Sequence, residues 1–255
     1  MTTKQNRIAL ITGASRGIGR STALSLAARG IDVIITYLSS ADEAATVVKQ
    51  VQAMGRNAVA LRLDVGNAST FADFAREVKA TLQKTWKRDR LDFLVNNAGT
   101  GVYASLTDTT EQEFDLMTNI HLKGTFFLTQ KMLPLIEDGG RILNTSSGLT
   151  RFTFAGYAAY AAAKGGVEVL TRFMAKELGA RNISVNTIAP GATETDFGGG
   201  ALRDNSDLNA QFAAMTALNR NAVPDDIGGV VAALLSNGSS WLNGQRIEAS
   251  GGLLL

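Results

Sequence analysis

Tyr160 and Lys164 form the pair of residues in this sequence whose types and spacing most directly suggest proton transfer. On a helix, residues four apart lie on the same face, one turn from each other. The pKa of a free tyrosine is about 10, and a neighbouring ammonium lowers it because it stabilises the phenolate. Tyr160 could therefore protonate a carbonyl oxygen, or accept the proton of an alcohol, as a general acid or base. Tyr157 lacks this arrangement, since Ala161 stands four residues after it.

Two serines, Ser146 and Ser147, come just after a predicted strand that ends near Thr145. A hydroxyl in this position could hold the oxygen of a substrate and the negative charge that develops on it. Either serine could do so on position alone. A serine of this kind beside the tyrosine and the lysine favours chemistry at a carbonyl or a secondary alcohol.

A glycine-rich turn, Thr12-Gly13-Ala14-Ser15-Arg16-Gly17-Ile18-Gly19, follows the first predicted strand and precedes a predicted helix. Glycines in such a turn let the main chain approach a diphosphate closely, and the helix N-terminus presents free N–H groups to the phosphates. The spacing G-x-x-x-G-x-G is a variant of the dinucleotide-binding fingerprint. A simple tight turn is the alternative, but the position at the first strand–helix junction favours a nucleotide cofactor.

The end of the second predicted strand favours NADP(H) over NAD(H). NAD-specific sites of this type place an acidic residue there to bind the ribose hydroxyls. This sequence instead has Tyr37, Ser39 and Ser40, and no carboxylate follows the strand until Asp42. Their hydroxyls can donate hydrogen bonds to a 2′-phosphate, and Arg16 in the glycine-rich turn adds a cation suited to phosphate. The alternative is that Arg16 is a solvent-exposed loop residue.

Strands and helices must position these residues, and the sequence predicts both. Short β-branched runs alternate along it with segments of helical periodicity. Nearly all-apolar strands separated by helices indicate a parallel sheet covered on both faces. We predict an α/β fold, a single doubly wound Rossmann-type domain over residues 1–255, with about seven strands and ligands bound at their carboxyl ends. The predicted strands are Arg7–Ile11, Val33–Thr36, Ala58–Leu63, Leu91–Val95, Arg141–Thr145, Ser184–Ile188 and Gln245–Glu248, with helical patterns at Ser21–Arg29, Ala44–Met54 and Phe71–Leu82.

The most irregular part of the sequence is the stretch 193–224, which includes Phe197-Gly198-Gly199-Gly200. Long segments of this kind inside a compact domain are usually functional and often close over a substrate. We predict that 193–224 forms a lid.

Composition excludes several classes of function. The sequence has no cysteine, so thiolate chemistry is excluded, and its single histidine, His121, cannot form a histidine cluster. We predict no metal site and a structural role for His121. The net charge of +2 gives no argument for a nucleic acid or membrane partner. The segment Met1–Arg7 lacks the apolar stretch of a signal peptide, and no run approaches the roughly 20 apolar residues of a membrane helix. We expect a soluble, cytoplasmic protein.

Several motifs in a fixed order resemble the short-chain dehydrogenase/reductase family, and the resemblance covers essentially the whole chain. Besides the glycine-rich turn they are Asp64-Val65, Asn96-Asn97-Ala98-Gly99, Asn119, Ser146-Ser147, Tyr160-x-x-x-Lys164, and Pro190-Gly191 with Thr193 and Thr195. The resemblance implies that Tyr160 is the acid/base, that Lys164 supports it, and that Ser147, thirteen positions earlier (160 − 147), holds the substrate oxygen. It also implies that Asn119 joins Lys164 and water in a proton relay.

The resemblance further implies the remaining cofactor contacts. Asp64 and Val65 should border the adenine, although Asp64 could instead cap a helix. Asn96 and Gly99, with Ala98 of the same motif, should border the adenosine ribose, and Thr193 and Thr195 should meet the nicotinamide carboxamide. Members that prefer NADP carry a basic residue at the place of Arg16. The other residues expected to contact the cofactor are Gly13, Ser15, Gly17, Ile18, Gly19, Tyr160, Lys164, Pro190 and Gly191.

The substrate is the least determined part of the prediction. Regions expected around it contain Phe152, Phe154, Tyr157, Phe197, Phe212 and Met215, which either pack internally or line an apolar or aromatic site. We predict reversible NADPH-dependent reduction of a small-molecule ketone. The resemblance also suggests a 3-oxoacyl-[acyl-carrier-protein] reductase, for which Arg181 matches a basic position, but Glu137-Asp138-Gly139-Gly140 is acidic where a second is expected. A non-catalytic NADP-binding sensor is the third possibility.

The resemblance implies self-association. Relatives pair through two long helices, expected here over Glu111–Leu133 and Tyr157–Leu178, and through a C-terminal strand. The apolar end Gly251-Gly252-Leu253-Leu254-Leu255 would be costly to expose. We predict a homotetramer, with a homodimer as the alternative.

Overall fold

Parallel strands form one sheet in the computed structural model, which describes residues 6–236 and 238–255. The strands are β1 (Ile8–Ile11), β2 (Asp32–Tyr37), β3 (Ala58–Arg62), β4 (Leu91–Asn96), β5 (Ile136–Thr145), β6 (Ser184–Pro190) and β7 (Arg246–Ala249). They are hydrogen-bonded in the order β3-β2-β1-β4-β5-β6-β7, as the sequence predicts for a doubly wound fold. Most of the segment Met1–Arg7, for which no signal peptide is predicted, lies outside the described residues.

The α-helices connect successive strands. They are α1 (Gly17–Ala27), α2 (Ala41–Ala53), α3 (Phe71–Trp86), α4 (Glu111–Met117), α5 (Gly124–Met132), α6 (Ala158–Glu177), α7 (Ala201–Asp204), α8 (Ser206–Ala214) and α9 (Pro224–Leu234). The segment 193–224 thus contains α7 and α8 as well as a short 3₁₀ turn at Phe197–Gly200. Among the described residues, none of these helices is long and apolar enough to cross a membrane.

Apolar side chains pack on both faces of the sheet. Helices α1, α2 and α9 cover one face, where Ala9 and Ile11 of β1 point, and α3, α5 and α6 cover the other, where Ile8 and Leu10 point. All four β1 residues are completely buried. This burial explains why the strands are apolar runs rather than alternating patterns, as expected for a parallel sheet.

Two features differ from the sequence-based boundaries. Strand β5 begins at Ile136 instead of Arg141, and its register against β4 shifts between Leu91 and Phe93. The helix predicted over Glu111–Leu133 is interrupted by a π-helical segment, Thr118–Lys123, at whose end the amide of Gly124 donates to the carbonyl of Asn119. Such segments rotate the helix faces that follow them and are frequent at functional sites.

The strand order reverses at β1, which has β2 on one side and β4 on the other. Ligands of open α/β sheets bind outside the carboxyl ends of the strands at this switch point. The glycine-rich turn leaves β1 there, and residues 97–99 leave β4 beside it. The fold therefore brings these two loops to one edge of the sheet.

Candidate active site

The glycine cleft, our name for a groove of about 510 Å³ at the carboxyl ends of β1, β2 and β4, contains most of the residues predicted to bind the cofactor. They are Gly13, Ser15, Arg16, Gly17, Ile18, Gly19, Tyr37, Ser39, Ser40, Asp64, Val65, Ala98, Gly99 and Thr195. A Cβ at Gly13 would lie 2.7 Å from the Cα of Ala98, and one at Gly19 would lie 2.3 Å from the carbonyl oxygen of Gly13. Only glycine allows this close backbone packing, and α1 begins at Gly17 with its unpaired N–H groups at the cleft.

The end of β2 presents hydroxyl groups to the glycine cleft, from Tyr37, Ser39 and Ser40. Arg16 also lines the cleft, and its Nε lies 3.4 Å from a carboxylate oxygen of Asp196, near the start of the segment 193–224. Asp64 lines the cleft and also accepts the amide hydrogen of Gly66 at 2.8 Å. It caps no helix, since the 3₁₀ turn that follows is capped by Asn67.

The catalytic cluster, as we call Ser147, Tyr160 and Lys164, lies where β5 ends and α6 begins. Lys164 Nζ is 5.7 Å from the centroid of the Tyr160 ring and donates a hydrogen bond of 2.6 Å to the carbonyl of Thr145. The side chain of Ser147 lies close enough to Tyr160 to favour a lower pKa of its phenol. The helical spacing of Tyr160 and Lys164 thus places both side chains against the end of β5.

Ser146 and Ser147 have different partners. Ser146 Oγ donates to Glu168 at 2.5 Å, and Glu168 also accepts hydrogen bonds from Thr150 and Arg246. Ser147 Oγ accepts the amide hydrogen of Leu149 at 3.2 Å. Because the proton of Ser146 is committed to a carboxylate, the geometry favours Ser147 as the serine free to serve a ligand.

Burial shifts the two titratable groups of the catalytic cluster. It raises the pKa of Tyr160 to about 12, although the nearby side chain of Ser147 acts in the opposite direction. It lowers the pKa of Lys164 to about 7. At neutral pH the free protein therefore holds Tyr160 as a phenol that can donate a proton, beside a lysine that is partly charged.

The aromatic cavity, our name for a space of about 240 Å³ beside Tyr160, is walled by Phe152, Phe154, Tyr157, Phe197 and Phe212. Phe154 packs edge-on against Phe152 and Phe212, with ring centroids 5.5 and 5.0 Å apart. Met215, predicted in the same group, is not among the lining residues. A cavity of this composition suits an apolar or aromatic ligand.

The glycine cleft and the aromatic cavity meet at shared lining residues. Gly99, Thr195 and Phe197 line both spaces, and Pro190, Gly191 and Thr193 line the aromatic cavity next to them. Phe197 also packs against Tyr160, with ring centroids 5.3 Å apart. A ligand in the cleft and a second one in the cavity would therefore come together beside Tyr160.

Two residues predicted for the site are not brought to it. Asn96 is buried beneath the loop, where its Nδ2 donates to Asn144 and Thr129 at 2.8 and 2.9 Å. Its neighbour Asn97 lines both spaces instead and donates to the carbonyl groups of Thr12 and Gly13. The reason is the alternation of side chains at the end of β4, which turns adjacent residues to opposite sides.

Asn119 lines neither the glycine cleft nor the aromatic cavity. From the same π-helical segment it is His121 that enters the cavity, with its ring 4.9 Å from that of Tyr160. Reasoning from 3.6 residues per turn missed this, because a π segment changes which residues face the site. The one signal in the sequence that could have drawn attention to His121 is its position two residues after Asn119, in a helix expected near the site.

The end of the described chain also contributes a wall that was not predicted. Leu253 is buried and lines the aromatic cavity. Arg151 holds this segment, because its Nη2 and Nη1 donate to the carbonyl groups of Leu253 and Leu254 at 2.5 and 2.8 Å. An ion pair of 3.0 Å between Arg151 and Glu248 ties the same arginine to β7.

Comparison with known proteins places this geometry in a family. Residues 13–254 match the sequence model of a family described as enoyl-(acyl carrier protein) reductase. The chain is 36% identical over 258 residues to the tetrahydroxynaphthalene reductase PfmaG of Pestalotiopsis fici, covering 96% of this chain and 91% of that protein.

Two solved structures share the whole fold. LugOII, described as a promiscuous reductase that catalyses keto-reduction at C1 during lugdunomycin biosynthesis, is 37% identical with a TM-score of 0.93, covering 99% of this chain and 100% of that one. The angucycline C-6 ketoreductase LanV, solved with bound NADP, is 35% identical with a TM-score of 0.92, covering 97% and 95%. The chain belongs to the short-chain dehydrogenase/reductase family of oxidoreductases.

Proposed function

We propose that this protein reduces the ketone of an apolar or aromatic small molecule to a secondary alcohol with NADPH, and catalyses the reverse reaction with NADP. One observation carries the proposal. The catalytic cluster of Ser147, Tyr160 and Lys164 lies where a dinucleotide-sized cleft and an aromatic cavity meet. Related proteins that reduce ketones and one that was solved with NADP support the same conclusion.

The glycine cleft fits a dinucleotide phosphate. We assign the glycine-rich turn and the N-terminus of α1 to the diphosphate, since free N–H groups there attract anions. Arg16 would pair with the 2′-phosphate, and Tyr37, Ser39 and Ser40 would donate hydrogen bonds to it. Asp64, Val65, Ala98 and Gly99 would border the adenosine half, and Thr193 and Thr195 the nicotinamide half. The bound cofactor supplies the hydride in reduction and accepts it in oxidation.

Tyr160 performs the proton transfer in this proposal. It donates its phenolic proton to the carbonyl oxygen as that oxygen gains negative charge. Ser147 holds the same oxygen by a hydrogen bond, which strengthens as the charge develops. The ammonium of Lys164, fixed by the carbonyl of Thr145 at 2.6 Å, stabilises the phenolate that remains. Oxidation of the alcohol requires that Tyr160 first lose its proton. The rate of oxidation should therefore rise with pH.

The aromatic walls define the class of substrate. Five Phe and Tyr side chains besides Tyr160 line the cavity, and few polar groups are present apart from the catalytic cluster and its neighbours. Flat rings stack or pack edge-on with such walls. The related tetrahydroxynaphthalene reductase is named for a fused-ring aromatic compound, so a fused-ring aromatic ketone is the substrate class we favour.

Arg181 argues against the alternative of a 3-oxoacyl-[acyl-carrier-protein] reductase. Its Nε pairs with Asp138 at 2.7 Å, and its two terminal nitrogens donate to the carbonyl groups of Leu133 and Ile136. A guanidinium engaged in this way holds the turn before β5 and is not available to grip an acidic carrier protein. The neighbouring segment 137–140 is itself acidic, so a small molecule remains the first choice.

The remaining alternative, a non-catalytic NADP-binding sensor, does not account for the geometry. A sensor has no need for Ser147 to lie beside the Tyr160 phenol, or for Lys164 to be buried one helical turn away. A cluster that costs stability through burial of a lysine is expected where catalysis requires it.

The test is NADPH oxidation, followed by absorbance, with 1-tetralone, a small aliphatic ketone, a 3-oxoacyl thioester and an enoyl thioester as substrates. We expect turnover of 1-tetralone to exceed that of both thioesters. Tyr160→Phe should reduce turnover by about 10² to 10⁴, while Tyr157→Phe, its neighbour on the cavity wall, keeps most of it. Tight NADPH binding without any turnover would favour the sensor, and preferred reduction of a thioester would favour the carrier-protein reductase.

We further propose that the protein is a homotetramer. Large apolar side chains are exposed along α4, α5 and α6, among them Phe114, Phe126, Phe127, Val169 and Phe173. These helices pack side by side on one face of the sheet, so a second copy could cover them in one interface. Leu218, Trp241 and Leu255 are exposed at the other end, beside edge strand β7, and would serve a second interface.

A further inference from the structure

His121 is completely enclosed next to the catalytic cluster. Only 1% of its surface is exposed, and its ring meets that of Tyr160 edge-on at 4.9 Å and 90°. Polar side chains buried this deeply are normally hydrogen-bonded at every polar atom. The partners of its two ring nitrogens therefore indicate what the residue does.

One nitrogen is fixed by the backbone. Nε2 lies 2.7 Å from the carbonyl oxygen of Thr100, which follows β4. A carbonyl oxygen can only accept, so Nε2 must carry the hydrogen. The imidazole is thus held as the Nε2–H tautomer, and Nδ1 keeps an unprotonated lone pair.

Nδ1 has no hydrogen-bond partner among residues 6–236 and 238–255. The Cε1 edge of the ring faces Gly99, where a Cβ would lie 2.7 Å from Cε1 and 3.3 Å from Nδ1. Gly99 lines both the glycine cleft and the aromatic cavity. His121 itself lines the aromatic cavity, so its unpaired Nδ1 is buried in the wall of that cavity, next to Gly99.

The surroundings keep this lone pair unprotonated. Burial, and secondarily the charge of Lys164 on α6, lowers the pKa of His121 to about 3. The other titratable group in contact is Tyr160 on the same helix, which is neutral. His121 is thus no general acid or base at neutral pH, and only its ability to accept a hydrogen bond remains.

We propose that His121 Nδ1 binds a hydroxyl group at the reaction centre, that is, it accepts a hydrogen bond from an O–H that a ligand or a water brings there. The identity of the ligands follows from the proposed function, on which the inference rests to that extent. The ability of Nδ1 to accept a hydrogen bond does not depend on it. An unpaired buried acceptor costs free energy, and a single hydroxyl removes that cost. Three sources carry the same chemistry: a cofactor ribose, a hydroxylated substrate, or a water between His121 and Lys164.

The single histidine permits a direct test. Protein without an affinity tag, labelled with ¹⁵N-histidine, gives one imidazole in long-range ¹H–¹⁵N correlation spectra. We expect the neutral Nε2–H tautomer from pH 5 to 9, and an Nδ1 resonance shifted by an accepted hydrogen bond in at least one state. Spectra are recorded for free protein, with NADP, and with NADP plus 1-tetralone or 4-hydroxy-1-tetralone.

The state in which the shift first occurs identifies the source. A shift with NADP alone assigns the hydroxyl to the cofactor, a shift only with 4-hydroxy-1-tetralone assigns it to the substrate, and a resonance already shifted in free protein assigns it to water. A protonated Nδ1, or an Nδ1 resonance typical of an unbonded nitrogen in every state, overturns the proposal. The spectrum does not depend on turnover, so inactivity of the wild type toward ketones would count against the proposed function alone.

Two variants supply the kinetic readout. His121→Phe keeps a ring against Tyr160 but accepts no hydrogen bond, whereas His121→Gln can donate to Thr100 and still offer an oxygen. We expect His121→Phe to change one parameter by about tenfold: the Kd of NADPH, the KM of the hydroxylated ketone relative to 1-tetralone, or kcat. His121→Gln should stay closer to wild type. If both variants equal wild type in all three parameters, His121 is only a packing residue.

Discussion

The imidazole of His121 packs edge-on against the phenol ring of Tyr160, so the only histidine of the chain is sealed beside the proposed acid/base. Its pKa is lowered to about 3, whereas the pKa of a histidine in an unfolded chain is about 6.5. Between these values the unfolded chain binds a proton that the folded protein does not bind. Stability is therefore lost as pH falls through this window, by at most about 1.4 kcal/mol per pH unit.

We predict that His121→Gln removes this histidine's share of the acid sensitivity. Urea unfolding at pH 7 and pH 4.5 should show a smaller loss of stability for His121→Gln than for wild type. Other groups also titrate over this range, so the difference between the two proteins is the quantity to compare. Equal losses would mean that His121 becomes protonated in the folded protein by pH 4.5 and that its pKa is not lowered as stated here.

Lys164 should impose a pH limit on ketone reduction. Its pKa is lowered to about 7 by burial, so the ammonium that supports the Tyr160 phenolate is lost as pH rises through that value. Because kcat/KM reports ionisations of the free enzyme, we predict that kcat/KM for reduction declines above about pH 7. Lys164→Met should lower kcat/KM by about 10² or more at pH 6 and abolish the decline.

The control for that profile is Lys123→Met, which removes an exposed lysine from the π-helical segment. It should leave both the rate and the profile unchanged. A decline that persists in Lys164→Met would assign the ionisation to another group.

Arg16 should determine the choice between NADPH and NADH. It lines the glycine cleft, and its present ion pair with Asp196 is solvent-exposed and so contributes little stability. A charge-assisted bond to a 2′-phosphate is worth about 1.5–3 kcal/mol. We predict that Arg16→Gln weakens NADPH binding by about 10- to 100-fold and barely affects NADH, as measured by fluorescence titration.

Arg20→Gln is the matched control for Arg16. This exposed arginine stands one turn further along α1, bonds to Gln50 and does not line the cleft. Equal weakening by Arg16→Gln and Arg20→Gln would indicate a general effect of positive charge rather than a specific contact.

The fold and most of the site could be predicted because they depend on local patterns. The buried strands are apolar runs, and the glycine-rich turn has to follow β1, so the cleft could be expected at the switch point. Tyr160 and Lys164 needed only regular helical spacing. Asn96 and Asn119 could not be placed in this way, because the direction of a side chain at a strand end, and the insertion of a π segment, depend on tertiary packing.

Contacts between residues that are far apart in the sequence could not be predicted either. Nothing local relates Arg151 to Leu253, which lie about a hundred positions apart, yet their hydrogen bond closes the aromatic cavity. The same holds for Arg181, whose charge suggested a partner protein until its three hydrogen-bonding groups proved to be engaged within the chain.

Phe154 should set the preference for fused-ring ketones. It is the central member of the wall, in edge contact with both Phe152 and Phe212. Aromatic pairs contribute about 0.5–1.5 kcal/mol beyond the area that they bury. We predict that Phe154→Leu raises KM for 1-tetralone by about 2- to 12-fold, with little change for a small aliphatic ketone that cannot reach the wall. Equal changes for both ketones would point to a distorted catalytic cluster instead.

Phe173 on α6 should hold the proposed tetramer together. Its side chain is 63% exposed in the single chain, on the same helix as Tyr160 and Lys164. A glutamate in an apolar interface loses its hydration without gaining a partner. We therefore predict that Phe173→Glu yields a smaller species by light scattering, whereas Lys49→Glu on α2, on the opposite side of the sheet, keeps the wild-type mass. A wild-type mass equal to the single chain of 26.9 kDa would contradict both the tetramer and the dimer.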